Sequence, residues 1–195
     1  MIWAIILAAG ESKRMGQPKM LLPWKGTTIL ETVVHTALAS SVDRVLVVLG
    51  SEQEQISQLL SPLPVETVHN PDFRKGMLSS VKVGFAALPG EAGAGIVVLG
   101  DQPFVSAGVI DRLCAASAGS PGSIMLPLYE GRRGHPVLIP AAFRDEIPLL
   151  SNAVGLRELI HRHEEKILEI EVEEEDVLLD IDDPEAYHAA IKGKR

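Results

Sequence analysis

Cysteine is almost absent: the chain has one, Cys114. A single thiol excludes an internal disulfide, and its apolar helical surroundings read as packing rather than catalysis. Aromatics are scarce at 4%, against 46% hydrophobic residues in all, which leaves an aliphatic core of Val, Ile, Leu and Ala suited to an α/β fold. Positive charge is short, with 18 Lys and Arg against 26 Asp and Glu and a net charge of −8. That balance excludes general binding to nucleic acid, which needs a basic face, and argues against an anionic membrane surface. No apolar run reaches the roughly 18 residues of a membrane span. Met1–Ala9 is apolar but lacks a basic leader and ends at a glycine turn, so it reads as a strand rather than a signal peptide; a cytoplasmic, reducing location is the expectation. The sequence also lacks repeats, low-complexity tracts and linkers. One domain over residues 1–195 is expected.

Two common phosphate loops are missing as well. A P-loop of the Walker type needs four residues between its glycines and then Lys-Ser/Thr; here five separate Gly10 from Gly16, and Gln17-Pro18 follows. The dinucleotide pattern G-x-G-x-x-G is broken at Gly10-Glu11-Ser12, which disfavours a nicotinamide or flavin oxidoreductase. His35, His69, His161, His163 and His188 show no metal-ligand spacing, and no role is assigned to them.

What is present is an alternation of strand-like and helical patterns. Apolar runs at 2–7, 44–49, 65–68, 96–99, 123–126, 136–139, 166–172 and 177–181 read as strands. Helical patterns cover 27–40, with a capping box from Thr27 or Thr28 to Glu31, then 52–60, 77–88, 106–117 capped by Ser106, 153–163, and 184–191 with Pro184 in its first turn. Such alternation predicts a parallel-rich sheet with helices on both faces, with ligands bound beyond the carboxyl ends of the strands.

Five segments carry candidate chemistry. In Leu7-Ala8-Ala9-Gly10-Glu11-Ser12-Lys13-Arg14-Met15-Gly16-Gln17-Pro18-Lys19, a small-residue turn follows a buried strand. Its backbone N–H groups can cradle a triphosphate that Arg14 and Lys19 neutralise. In Leu99-Gly100-Asp101-Gln102-Pro103, Asp101 leaves an apolar strand at the sheet edge, where one carboxylate plus phosphate oxygens can hold Mg²⁺; Ser106 is the better placed helix cap. Asp180-Ile181-Asp182-Asp183-Pro184 follows another expected strand, whose alternation turns Asp180 and Asp182 to one side. Asp183 suits a helix cap, which leaves Asp182 either a second metal ligand or part of a solvated acidic turn. Asn70, Gly76, Ser79 and Ser80 offer polar groups to a base edge or a phosphate, or a serine there caps a helix. Gly131-Arg132-Arg133-Gly134-His135-Pro136 sets adjacent arginines and a histidine before a strand; the arginines suit an acidic substrate, and His135 is either titrating or structural.

Taken in order, these segments resemble the MobA-like nucleotidyltransferase superfamily, and most closely its molybdenum cofactor cytidylyltransferase group, from Ile2 to about Tyr187. The resemblance implies a Rossmann-like three-layer α/β/α fold with a mixed, mostly parallel sheet of about seven strands, of the nucleotide-diphospho-sugar transferase type. It implies transfer of CMP from CTP to the molybdenum–molybdopterin cofactor with release of pyrophosphate and dependence on Mg²⁺. Leu7, Ala8, Ala9, Gly10, Arg14, Lys19, Asn70, Gly76, Ser79 and Ser80 would then contact nucleotide. Asp101 and Asp182 would hold metal, Arg14, Lys19 and Asp101 would be catalytic, and Arg133, Gly134 and His135 would lie near the acceptor. The partners implied are CTP, the molybdopterin cofactor and a molybdenum hydroxylase apoenzyme or its chaperone, with no nucleic acid or membrane, the protein being a monomer or weak dimer. The alternatives are a guanylyltransferase on the same cofactor, a cytidylyltransferase for a sugar or polyol phosphate, and a non-catalytic molybdopterin carrier. Leu150-Ser151-Asn152-Ala153-Val154-Gly155-Leu156-Arg157 departs from the Gly-Asp-x-Gly-Ala-Arg-like stretch of the cytidylyltransferases, and the acidic member is missing.

Overall fold

The computed structural model describes residues 1–193. These residues form ten strands: β1 Ile2–Ala8, β2 Pro23–Trp24, β3 Thr27–Thr28, β4 Arg44–Leu49, β5 Glu66–His69, β6 Ala94–Leu99, β7 Ile124–Tyr129, β8 Arg132–Arg133, β9 Val137–Pro140 and β10 Ile167–Glu171. Six α-helices accompany them: α1 Ile29–Leu38, α2 Gln53–Leu60, α3 Met77–Ala87, α4 Ala107–Gly119, α5 Arg157–Arg162 and α6 Pro184–Ile191. The main sheet runs β10-β7-β9-β6-β1-β4-β5, with the short β8 paired to β7, and β2 and β3 form a separate hairpin. β1 is parallel to β4 and β6, β4 to β5, and β10 to β7; β9 runs antiparallel to β6 and β7. This is the parallel-rich α/β sheet that the alternation predicts, and it is mixed, as the family resemblance implies.

β1 shows why the sheet sits between two helical layers. Its seven residues are apolar throughout, and successive side chains leave on opposite faces. Ala4, Ile6 and Ala8 enter one core with residues of α1, α2 and α4, whereas Trp3, Ile5 and Leu7 enter a second core under α3. Register pairs Ala8 with Leu49 and Leu7 with Leu99, so the chain leaves β1, β4 and β6 at one edge of the sheet. The caps are those that the sequence encodes. Thr28 and Glu31 close a reciprocal capping box, Ser106 accepts from Val109 N, and Asp183 accepts from Ala186 N with Pro184 in the first turn.

Two expected elements differ. Residues 177–181 do not join the sheet: Glu175–Leu178 is a single 3-10 turn, and the chain beyond it runs on without a ladder. The apolar run is buried by tertiary contact instead, with Val177 packed among Val105, Val109 and Val172. Its backbone bonds go singly to other loops: His135 N donates to Val177 O at 2.9 Å, and Ile181 N to Asp101 O at 3.0 Å. Strand alternation is therefore not what orients Asp180 and Asp182. The helix expected over 153–163 is confined to Arg157–Arg162, because residues 151–155 close a turn in which Gly155 takes φ +79°, a conformation that favours glycine. No helix of the described residues is long and apolar enough to cross a membrane.

Candidate active site

The loop after β1 is tied down from within. Ser12, at φ +52°, accepts through its carbonyl from Met15 N and Gly16 N and through Oγ from Lys19 N at 3.1 Å. Met15 is buried in a small satellite core with Leu22, Trp24, Ile29, Ile181 and Tyr187. Tyr187 Oη donates to Pro23 O at 2.8 Å, so α6 is clamped onto the hairpin that follows the loop. That clamp, with the bond from Ile181 N to Asp101 O, carries residues 180–183 from the far end of the chain to the edge where β1 and β6 finish.

Four charged side chains meet there. Lys19 Nζ donates to Asp101 Oδ2 at 2.5 Å and to Asp182 Oδ1 at 3.0 Å, and Arg14 donates to Asp182 Oδ2 at 2.6 Å. Lys19 is only 8% exposed. Burial pulls its ammonium pKa down, but the two carboxylates outweigh that and hold it above the ordinary value. Burial likewise pushes Asp182 up, yet its bonds to Lys19 and Arg14 leave it below the ordinary carboxylate range. Asp180 is raised, first by burial and then by the charges of Asp182 and Asp101, so a third carboxyl lies within electrostatic reach. Arg14 is largely exposed, and water screens its pair.

The other candidates fall in three places. Leu7, Ala8 and Ala9 are buried at the end of β1 and just beyond it, while Gly10 is exposed and accepts from Ser51 Oγ through its carbonyl. Asn70, Ser79 and Ser80 are buried and bond to one another: Asn70 Nδ2 donates to both serine hydroxyls, at 2.9 and 3.0 Å, and its Oδ1 accepts from Asp72 N. These polar atoms build the loop that leads to Gly76 and α3. Neither serine is a helix cap: the cap position is Gly76, no side chain accepts from the first N–H groups of α3, and Ser79 Oγ instead donates to Gly76 O at 2.7 Å.

Gly134 and His135 border a cavity of about 520 Å³ whose lining includes the apolar residues Leu78, Val97 and Leu126 and the polar residues Asn152, Arg157 and His161. Gly134 is pressed against the 3-10 turn, where a Cβ would lie 2.5 Å from Val177 O. Burial, the largest influence, holds the His135 imidazole below its ordinary pKa; Asp101 and the Val97 backbone pull the other way. Its buried Nδ1 has no hydrogen-bond partner among the described residues. Arg133 also borders the cavity, but its guanidinium bonds to Glu164 and Glu169. Sequence reasoning gave no role to His161 and no weight to Asn152 or Asp180. A lone histidine on a short helix and an asparagine in a turn carry no local signature, and only the folded chain sets them on the cavity wall.

The donor set suits a hard divalent cation. Two carboxylates already converge on one positive centre, Lys19 Nζ. Oxygen ligands are what Mg²⁺ and Mn²⁺ select, with substrate phosphates completing the shell. Among the described residues no group of three or more His, Cys, Asp or Glu forms a metal cage of its own.

Residues 4–167 match the MobA-like NTP transferase domain. The chain belongs to this family. It is similar to a molybdenum cofactor cytidylyltransferase of Escherichia coli (strain K12), 32% identical over 95% of this chain and 93% of that protein. It is also similar to a nicotine blue oxidoreductase of Paenarthrobacter nicotinovorans, 34% identical over 75% of this chain and 74% of that one. Among solved structures, Rv0371c of Mycobacterium tuberculosis H37Rv superposes with a TM-score of 0.88 at 27% identity, covering 98% of this chain and 97% of that one. A structure of Rv0371c in complex with manganese gives 0.83 at 26% identity, covering 98% of both chains. For this MobA-like chain, the match from β1 to the start of β10 takes in the Arg14, Lys19 and Asp101 segments, whereas Asp182 lies beyond it.

Proposed function

We propose that this chain transfers CMP from CTP to the terminal phosphate of the molybdenum–molybdopterin cofactor and releases pyrophosphate. The observation that carries the reading is the meeting of Arg14, Lys19, Asp101 and Asp182, drawn from three distant segments, at the carboxyl edge of the sheet. The similarity to the E. coli cytidylyltransferase over nearly the whole of both chains supports the choice of base and acceptor.

An acceptor phosphate oxygen forms a bond to the α-phosphorus of CTP as the bond to the bridging oxygen of pyrophosphate breaks. The attacking oxygen is already anionic, so no protein nucleophile is needed, and catalysis rests on positioning and charge neutralisation. Arg14 and Lys19 neutralise the departing pyrophosphate, and backbone N–H groups after β1 orient the triphosphate. Asp101 and Asp182 would hold Mg²⁺, which when bound neutralises charge shared by the α-phosphate and the acceptor oxygen; the manganese bound by Rv0371c supports a divalent ion here. The cavity beside His135 receives the acceptor. Its apolar lining takes a flat ring system, and Asn152 and Arg157 offer it polar partners. A cytoplasmic enzyme of one domain is part of the same reading.

Incubation with Mg²⁺, molybdenum-loaded molybdopterin and either CTP or GTP, read by mass spectrometry, tests the proposal. It expects a cytosine dinucleotide of the cofactor to accumulate well ahead of any guanine product. A guanine product in excess would overturn the base assignment. Pterin binding with no dinucleotide from either triphosphate would point to a carrier or to redox chemistry of the kind named for the Paenarthrobacter relative.

A further inference from the structure

Lys19 stands where a metal would. Its ammonium lies 2.5 Å from one carboxylate and 3.0 Å from the other, and its backbone is pinned by Ser12 Oγ and by the single turn Lys19–Leu21. Mg²⁺ bonds carboxylate oxygens at roughly 2.0–2.1 Å, so one pair of carboxylates cannot serve the ion and the ammonium at the same place and time. The lysine stem has four rotatable carbons and the head three donors. With the backbone fixed, the head can leave the carboxylates only for another anion within reach of the stem; Asp180 acts on it through space but makes no bond to it, and the triphosphate expected over the β1 loop is an anion that can.

We propose that Lys19 is an internal stand-in for the divalent cation, so that the site takes metal only together with a triphosphate, which accepts the displaced ammonium. Each group keeps an oppositely charged partner through the exchange: the metal replaces the lysine between Asp101 and Asp182, and the phosphates replace the carboxylates around the lysine. Metal without nucleotide would leave the ammonium, almost fully buried, without a hydrogen-bonded anionic partner, the Asp180 carboxyl acting on it only through space. The inference rests on the reading that this site binds a nucleoside triphosphate.

The test is titration of Mn²⁺ into the full chain, followed by electron paramagnetic resonance of the free ion, with and without an α,β-methylene analogue of CTP. Lys19→Met and Lys19→Gln are both used, so that a folding defect in one leaves the other. Lys13→Met, at an exposed lysine paired with Glu11, controls for the loss of one positive charge nearby. Without nucleotide, the Lys19 variants are expected to bind Mn²⁺ roughly ten- to a hundredfold more tightly than the wild type, the range for a hydrogen-bonded charged group, while Lys13→Met behaves as wild type. With the analogue, wild-type affinity rises steeply and the advantage of the variants disappears. Equal or weaker metal binding by both Lys19 variants without nucleotide would overturn the stand-in while leaving the nucleotide site intact. An analogue that fails to promote Mn²⁺ binding by the wild type would overturn the nucleotide reading and this inference with it.

Discussion

Asp101 and His135 are side chains of opposite kind on the same short stretch of sheet edge. Asp101 bonds only to Lys19 among the side-chain partners described, so its loss should harm chemistry far more than folding. Asp101→Asn is expected to lower turnover by about 10²–10³, the usual effect of removing one charge-stabilising contact, with little change in the thermal midpoint; steady-state kinetics beside a melting curve checks both. His135 predicts a pH effect. Its folded pKa is depressed by burial, so the unfolded chain binds a proton that the native chain refuses once the pH falls below the ordinary histidine value near 6.5. Native stability should therefore fall between pH 6.5 and 5, and urea midpoints for His135→Gln should fall less over that interval; parallel slopes would refute this. Cys114 is buried in the core, and burial, then Asp111 and Asp43, push its thiol up to about 11. A disulfide reagent at pH 8 should leave the native protein unlabelled and modify it once unfolded.

Among the elements, α1 and α6 separate stability from function. Thr28→Ala removes half of the α1 capping box and should cost about 1 kcal/mol with kcat unchanged, because α1 carries none of the four charges. Tyr187→Phe removes the bond to Pro23 O and should cost a similar amount, about 1 kcal/mol, but it loosens the clamp that brings Asp182 to Lys19. Urea denaturation should show comparable losses, and kcat should fall for Tyr187→Phe alone. This contrast also marks what the sequence makes legible. Caps are local, so Thr28, Ser106, Asp183 and Pro184 announce the starts of their helices through neighbours three or four residues away. The segment at 177–181 is not local: Val177, Leu178 and Leu179 carry the apolar signature of a strand, and the contacts with Val105, Val109 and Val172 that bury Val177 outside the sheet are invisible to periodicity. The turn at Ser151–Gly155 defeats the helical pattern of 153–163 for the same reason, since one glycine at positive φ outweighs apolar spacing.

Across the whole molecule, the sheet and its two helical layers follow from apolar runs of the right length. The assembly of the site depends on topology that no single segment encodes. Arg14, Asp101 and Asp182 stand out in the sequence because each follows or flanks an expected strand end. That Lys19 joins Asp101 to Asp182, that Arg133 is held by two glutamates, and that His161 faces the cavity are outcomes of the fold. This convergence is what we propose catalyses nucleotidyl transfer. The measurement that tests it most directly is pyrophosphate release with Mg²⁺ and CTP, with and without molybdenum-loaded molybdopterin, comparing the wild type with Asp101→Asn. Release should require CTP and pterin together and be nearly abolished by the substitution. Release that is indifferent to pterin, or a substituted protein as active as the wild type, would contradict it.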